Sequence, residues 1–162
     1  MPNKMQVESA TAWLFYITKH NANEEQLAIS MTLIDKDSTV QRSQATGQNL
    51  IAIEFENSIR QMHLGTEDEE SMAYRASIQD YMPERFKSPL LNFEIEVTSI
   101  TTCGLVTQIP KLKMGEQFYF HYIMAENPYH QSVDYPDESD QSTWFAVEQS
   151  KKQLERVWRT QV

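Results

Sequence analysis

Gln117-Phe118-Tyr119-Phe120-His121-Tyr122-Ile123-Met124 is the stretch on which the fold turns. Side chains alternate along an extended chain. Phe118, Phe120, Tyr122 and Met124 therefore project to one side, and Tyr119, His121 and Ile123 to the other. Large residues on both sides mean that both faces are covered, as for a central strand or a strand at an interface.

Other extended segments surround it. Residues 104–109 are short and apolar, and 110–115 read as a turn. Phe93, Ile95 and Val97 alternate with Glu94 and Glu96, which predicts a strand with one wet face. Ile51, Ile53 and Phe55 alternate with Ala52 and Glu54, and Leu27, Ile29, Met31 and Leu33 with Ala28, Ser30 and Thr32. Residues 11–19 are rich in aromatic and β-branched side chains and reach residue 27 through a polar hairpin loop. A helix through Val7, Ala10, Leu14 and Ile17 is the competing reading there. Residues 35–48 are polar and aperiodic and read as a loop.

Two helices complete the pattern. Thr66 and Glu69 have capping-box spacing, with Glu67, Asp68 and Glu70 where a helix N-terminus favours anions. Tyr74, Ile78, Tyr81 and Met82 form the apolar stripe, and Pro83 stops the helix. A second helix begins near Thr143. Trp144, Val147, Leu154 and Trp158 share one face with Lys151, and Lys151, Lys152, Arg156 and Arg159 load its later turns with positive charge. The order is β-β-β-α-β-β-β-α. Short connections favour antiparallel pairing. The expected fold is a single α+β domain over residues 1–162: an antiparallel sheet of about six strands with both helices on one face.

The charge is lopsided. The chain of 162 residues has a net charge of −9. Between Glu67 and Asp140 it carries fourteen acidic residues against five basic ones. That balance disfavours DNA, RNA and anionic lipid as direct partners and suits a basic protein. Cys103 is the lone cysteine, so no internal disulfide forms, which fits a reducing compartment. The longest apolar run, residues 12–17, is too short to cross a bilayer. A soluble, cytoplasmic protein is expected.

No catalytic signature emerges. Gly104 and Gly115 stand alone rather than in a phosphate-cradling run. Nothing in sequence activates the Cys103 thiol. His20, His63, His121 and His130 lack the spacing of paired metal ligands, and the acidic residues of 126–142 lack the glycine and alternation of a calcium loop. No metal and no cofactor are expected. What remains is the polar loop 126–142, where Tyr129 and Tyr135 stand among Asp134, Asp137, Glu138 and Asp140. Flat aromatic area beside carboxylates suits a basic protein surface. The expectation is a non-enzymatic binding protein, an inhibitor or neutralising partner of a basic protein, with the acidic start of the 67–82 helix assisting. The alternative is a small-molecule binder or small enzyme with an aromatic pocket at Tyr119 and His121. A third reading is a homodimer through an exposed strand face or the last helix.

Overall fold

The computed structural model describes residues 7–23, 26–33, 41–47 and 49–160, leaving aside the side chains of 41–47 and 157–160. The fold is α+β, built on two antiparallel sheets. Strand β8 (Gln117–Pro128) lies inside the larger sheet, between β1 (Ser9–Thr18) and β5 (Arg60–Glu67). Beyond β5 come β4 (Leu50–Glu56) and the edge strand β3 (Gln41–Gly47). The smaller sheet has the order β2 (Ala28–Thr32), β7 (Gly104–Gln108), β6 (Thr98–Ile100).

The alternation in β8 sorts the interior. Phe118, Phe120 and Tyr122 enter the main core with Ile51, Ile53, Phe55 and Leu64, against Leu105 and Ile109 from around the smaller sheet. Phe15 stacks on Phe120 at 4.7 Å between ring centroids, directly across the β1–β8 ladder. The Tyr122 hydroxyl hydrogen-bonds Thr107 Oγ1 at 2.6 Å and the Ile29 carbonyl at 3.1 Å, tying one sheet to the other. Gly104 makes the tight join within the smaller sheet: a Cβ there would lie 1.9 Å from the Met31 carbonyl oxygen.

Helix α3 (Ser142–Thr160) covers the opposite face, where Ala146 and Val147 meet Leu50, Ala52, Ile123 and Ala125. Gly65 lets it approach, since a Cβ there would sit 2.9 Å from Val147 Cγ1. Helix α1 (Glu69–Ser77) follows directly on β5 and sends Met72, Ala73 and Ala76 into the main core. A short turn, Glu84–Phe86, leads into α2 (Lys87–Leu91). The two expected helices thus do not share a face.

Other expectations change in detail. In place of one sheet of about six strands, the described residues form two sheets with eight strands. The segment 35–48 contains β3, while residues 35–40 and 48 lie outside the described residues. β5 has no clear apolar period in the sequence, because Gln61, His63, Thr66 and Glu67 are buried polar residues. Residues 93–97 are not a strand. Phe93 has φ 55 and ends α2 with its N–H on the Leu90 carbonyl, and Glu94 N–H bonds Pro89 O, so the alternation there belongs to a helix exit.

The helix expected over 67–82 is shorter. Asp68, not Thr66, caps α1 by accepting the Ser71 N–H at 2.8 Å. Thr66 stays in β5 and donates its hydroxyl to the His121 carbonyl. Gln79 (φ 53) and Tyr81 (φ 48) turn the chain away before Pro83 is reached. Of the expected stripe only Met82 is buried; Tyr74, Ile78 and Tyr81 are exposed. The stripe on α3 is better placed: Val147 and Lys151 are buried and Trp144 and Leu154 pack against the smaller core, while the Trp158 side chain lies outside the described residues.

Candidate functional site

β8 runs four residues past Met124, so the segment 126–142 begins as strand. After it, Tyr129 donates its N–H to Ile59 O at 2.8 Å. Residues 130–140 then form a tied excursion. Asp140 N–H bonds His130 O and Ser132 N–H bonds Glu138 O, each at 2.8 Å, and Gln131 bridges Ser139. The Gln131 amide also reaches the Pro136 carbonyl. Loops of this length are either functional or disordered in most domains; here the backbone bonds define a fixed tip.

The six acidic and tyrosine residues divide. Asp134, Asp137 and Glu138 are exposed at the tip, with Tyr135 at 65% and Val133 at 97% exposure. None of the three carboxylates has an ion-pair partner among the described residues. Asp140 points inward instead. It accepts from Gln61 Nε2 at 2.7 Å and from the Ser142 N–H at 3.0 Å, holding the start of α3. Burial by itself would raise its carboxyl, but the Gln61 and Ser142 hydrogen bonds keep it below its ordinary range. Tyr129 is half-buried at the root.

Two further carboxylates join this end of the sheet. Glu54 and Glu56 lie on the α3 side of β4, opposite Ile53 and Phe55. Glu54 reaches His63 Nε2 and Gln141 Nε2, each at 3.2 Å. Burial first, then Glu54, and further on Glu138, push the Glu56 carboxyl up. Partial enclosure and the charges of Glu56, Glu54, Asp137 and Asp140 likewise push the Tyr129 hydroxyl up. Negative charges from β4 and from the excursion therefore converge around Tyr129. The sequence pattern already put Glu54 on the face away from Ile53. What it lacked was the pairing that sets that face beside residues 129–140.

Tyr119 and His121 sit elsewhere, in a second polar group under the other half of α3. His121 is fully buried, with Nδ1 3.3 Å from the Tyr119 hydroxyl and 3.7 Å from Glu67 Oε1. The carboxylate beside the imidazole is thus Glu67, not Glu94 or Glu96. Arg75 Nη1 bonds Glu67 Oε1 at 2.9 Å and the Tyr119 carbonyl at 3.0 Å. Lys151 of α3 reaches Ser71 at 3.4 Å and also holds Glu155. Burial opposes the Glu67 charge, yet Arg75, then His121 and Lys151, keep its carboxyl low. Burial lowers His121 to about 4. This group clamps α1 to α3 around the sheet end.

Two open clefts lie away from His121. One, about 480 Å³, lies between Ile51, Glu69, Ile95 and Ile100, with Phe93 at its rim. The other, about 360 Å³, lies between Tyr81, Arg85 and Glu116. Among the described residues, no three His, Cys, Asp or Glu side chains converge as metal ligands, and no helix is long and apolar enough to cross a membrane.

The start of α1 and the tip do not form one patch. α1 follows Glu67, whereas the excursion begins where Pro128 pairs with Arg60, at the far end of β5. Eight residues of strand separate them, roughly 23 Å. No family model matches the chain, and neither a curated protein nor a solved structure is significantly similar to it.

Proposed function

We propose that this is a non-enzymatic binding protein, an inhibitor or neutralising partner that presents the 130–140 excursion to a basic protein. One observation carries the reading. The segment after β8 is tied to β4 where Gln141 bonds Glu54 Oε2 at 3.2 Å, and there Glu54 and Glu138 push the Glu56 carboxyl up while Asp137 and Asp140 add to the negative field at the Tyr129 hydroxyl, so like charges sit near one another against their own repulsion. A cationic surface docking there relieves that repulsion and gains steering from it. Tyr135 and Val133 supply exposed apolar area at the same tip, and a tied backbone limits the ordering cost of binding. A cytoplasmic setting goes with this reading, because Cys103 is a free thiol.

The test is capture from host lysate on the immobilised chain at low salt, followed by a salt gradient. The comparison is the triple variant Asp134→Asn, Asp137→Asn, Glu138→Gln, which leaves the inward Asp140 intact. A basic protein retained by the wild type should elute as salt rises and be lost by the triple variant. Equal retention by both chains removes the tip from the proposal.

A further inference from the structure

Four strands form sheet ends in this fold: β1 and β3 in the larger sheet, β2 and β6 in the smaller. Open edges invite pairing with another chain, and proteins blunt them with shortness, charge, proline or bulges. β6 has three residues and β2 has five. β3 carries Arg42 among polar residues. β1 has none of these devices. It is ten residues long, Ser-Ala-Thr-Ala-Trp-Leu-Phe-Tyr-Ile-Thr, with no charge and no proline. It pairs with β8 through ten consecutive positions, Ser9↔Glu126 to Thr18↔Gln117, without a bulge. Among the described residues, its other edge pairs with no strand.

We infer that β1 is a self-association edge, on which a second copy of this chain adds its own β1 antiparallel across a two-fold axis. Self-complementarity favours that occupant. A register with Leu14 opposite the partner copy's position 16 keeps like faces together. Leu14 (43% exposed) and Tyr16 (57% exposed) then cover each other across the axis. The half-buried Trp13, Phe15 and Ile17 continue the main core on the other face. Antiparallel pairing also sets the Glu8–Arg60 ion pair (2.8 Å) of one copy toward His20 of the other. Two five-stranded sheets become one continuous sheet, with main-chain hydrogen bonds supplying affinity. The interface is isologous, as in most soluble dimers. It stands apart from the 130–140 tip, so either assignment can fail without the other.

Sedimentation velocity across a wide concentration range tests this on the full chain. The expected mass is about twice 18.9 kDa. Leu14→Lys sets lysines one position from the axis, and Thr11→Lys, on the opposite face, sets a lysine across from position 19 of the other copy; each should yield a monomer with unchanged circular dichroism. Amides of β1 should exchange more slowly with hydrogen as wild-type concentration rises. A wild type that stays monomeric at every concentration overturns the inference. So does a dimer that both lysine variants leave intact, or one whose β1 amides gain no protection. The wild-type measurements decide the matter even if a variant fails to fold.

Discussion

Buried charge is the dominant feature at the scale of the residue. Glu67 is 1% exposed and Arg75 is 4% exposed. Removing one member of such a pair strands the other in low dielectric. Arg75→Met should therefore cost about 3–5 kcal/mol in urea unfolding, with Glu67→Gln costing less because the stranded Arg75 guanidinium keeps Asp80 at 4.0 Å and the carbonyls of Tyr119 and Asp80 as partners. The histidines add a pH dependence. Burial lowers both His63 and His121 to about 4 from an ordinary 6.5. The unfolded chain takes up these protons first. Stability is thus full above about 6.5 and falls as pH drops toward 4, by at most about 3 kcal/mol per histidine. Glu54 lies 3.2 Å from His63 Nε2, so an imidazolium formed there gains a partner and the loss at this site is smaller. Glu67 acts in a lower window: its carboxyl is depressed, so its contribution is present above 4.5 and disappears as pH falls through its folded value. Urea midpoints measured from pH 7 to pH 4 should decline, and His63→Asn should flatten that slope while keeping a polar contact to Thr143.

Close approach governs how the elements meet. α3 rests on the sheet at Gly65, where a methyl group would press on Val147. Gly65→Ala should lose about 1–3 kcal/mol by overpacking. Val147→Ala in the same chain should restore part of that loss, since it removes the methyl groups that collide. Denaturant unfolding of the single and double variants measures the coupling, and simple additivity would mean that the helix does not sit on that glycine. The periodic elements were the legible ones. β1, β2, β4, β7 and β8 all read correctly because each alternates apolar with polar or fills both faces. β5 did not, since its α3 side is Gln61, His63, Gly65 and Glu67 and its core side offers only Met62 and Leu64 as apolar residues. α1 is shorter than its sequence predicts for a different reason: Tyr74, Ile78 and Tyr81 mimic a buried stripe, yet Tyr74 lies on the outer face of α1 and the turns at Gln79 and Tyr81 end the helical path, so all three stay in solvent.

For the molecule as a whole, pairing is strongly non-local. β1 begins with Ser9 opposite Glu126, so the larger sheet closes only when both ends of the chain are present. Topologies of this kind fold slowly at a given stability. Refolding followed by tryptophan fluorescence in stopped flow should therefore relax in roughly milliseconds to seconds rather than microseconds. From its sequence alone this protein was destined for an antiparallel α+β fold, with β8 inside the sheet and an acidic excursion after it. Local periodicity and side-chain charge carry that information along the chain. Tertiary structure alone decided the division into two sheets, the opposite placement of the helices, and the company of Glu54 and Glu56 beside Tyr129. It also turned Asp140 inward and left β1 at an edge. These depend on which strands pair, and pairing is set by the best joint burial of distant segments, a quantity that no short stretch of sequence contains.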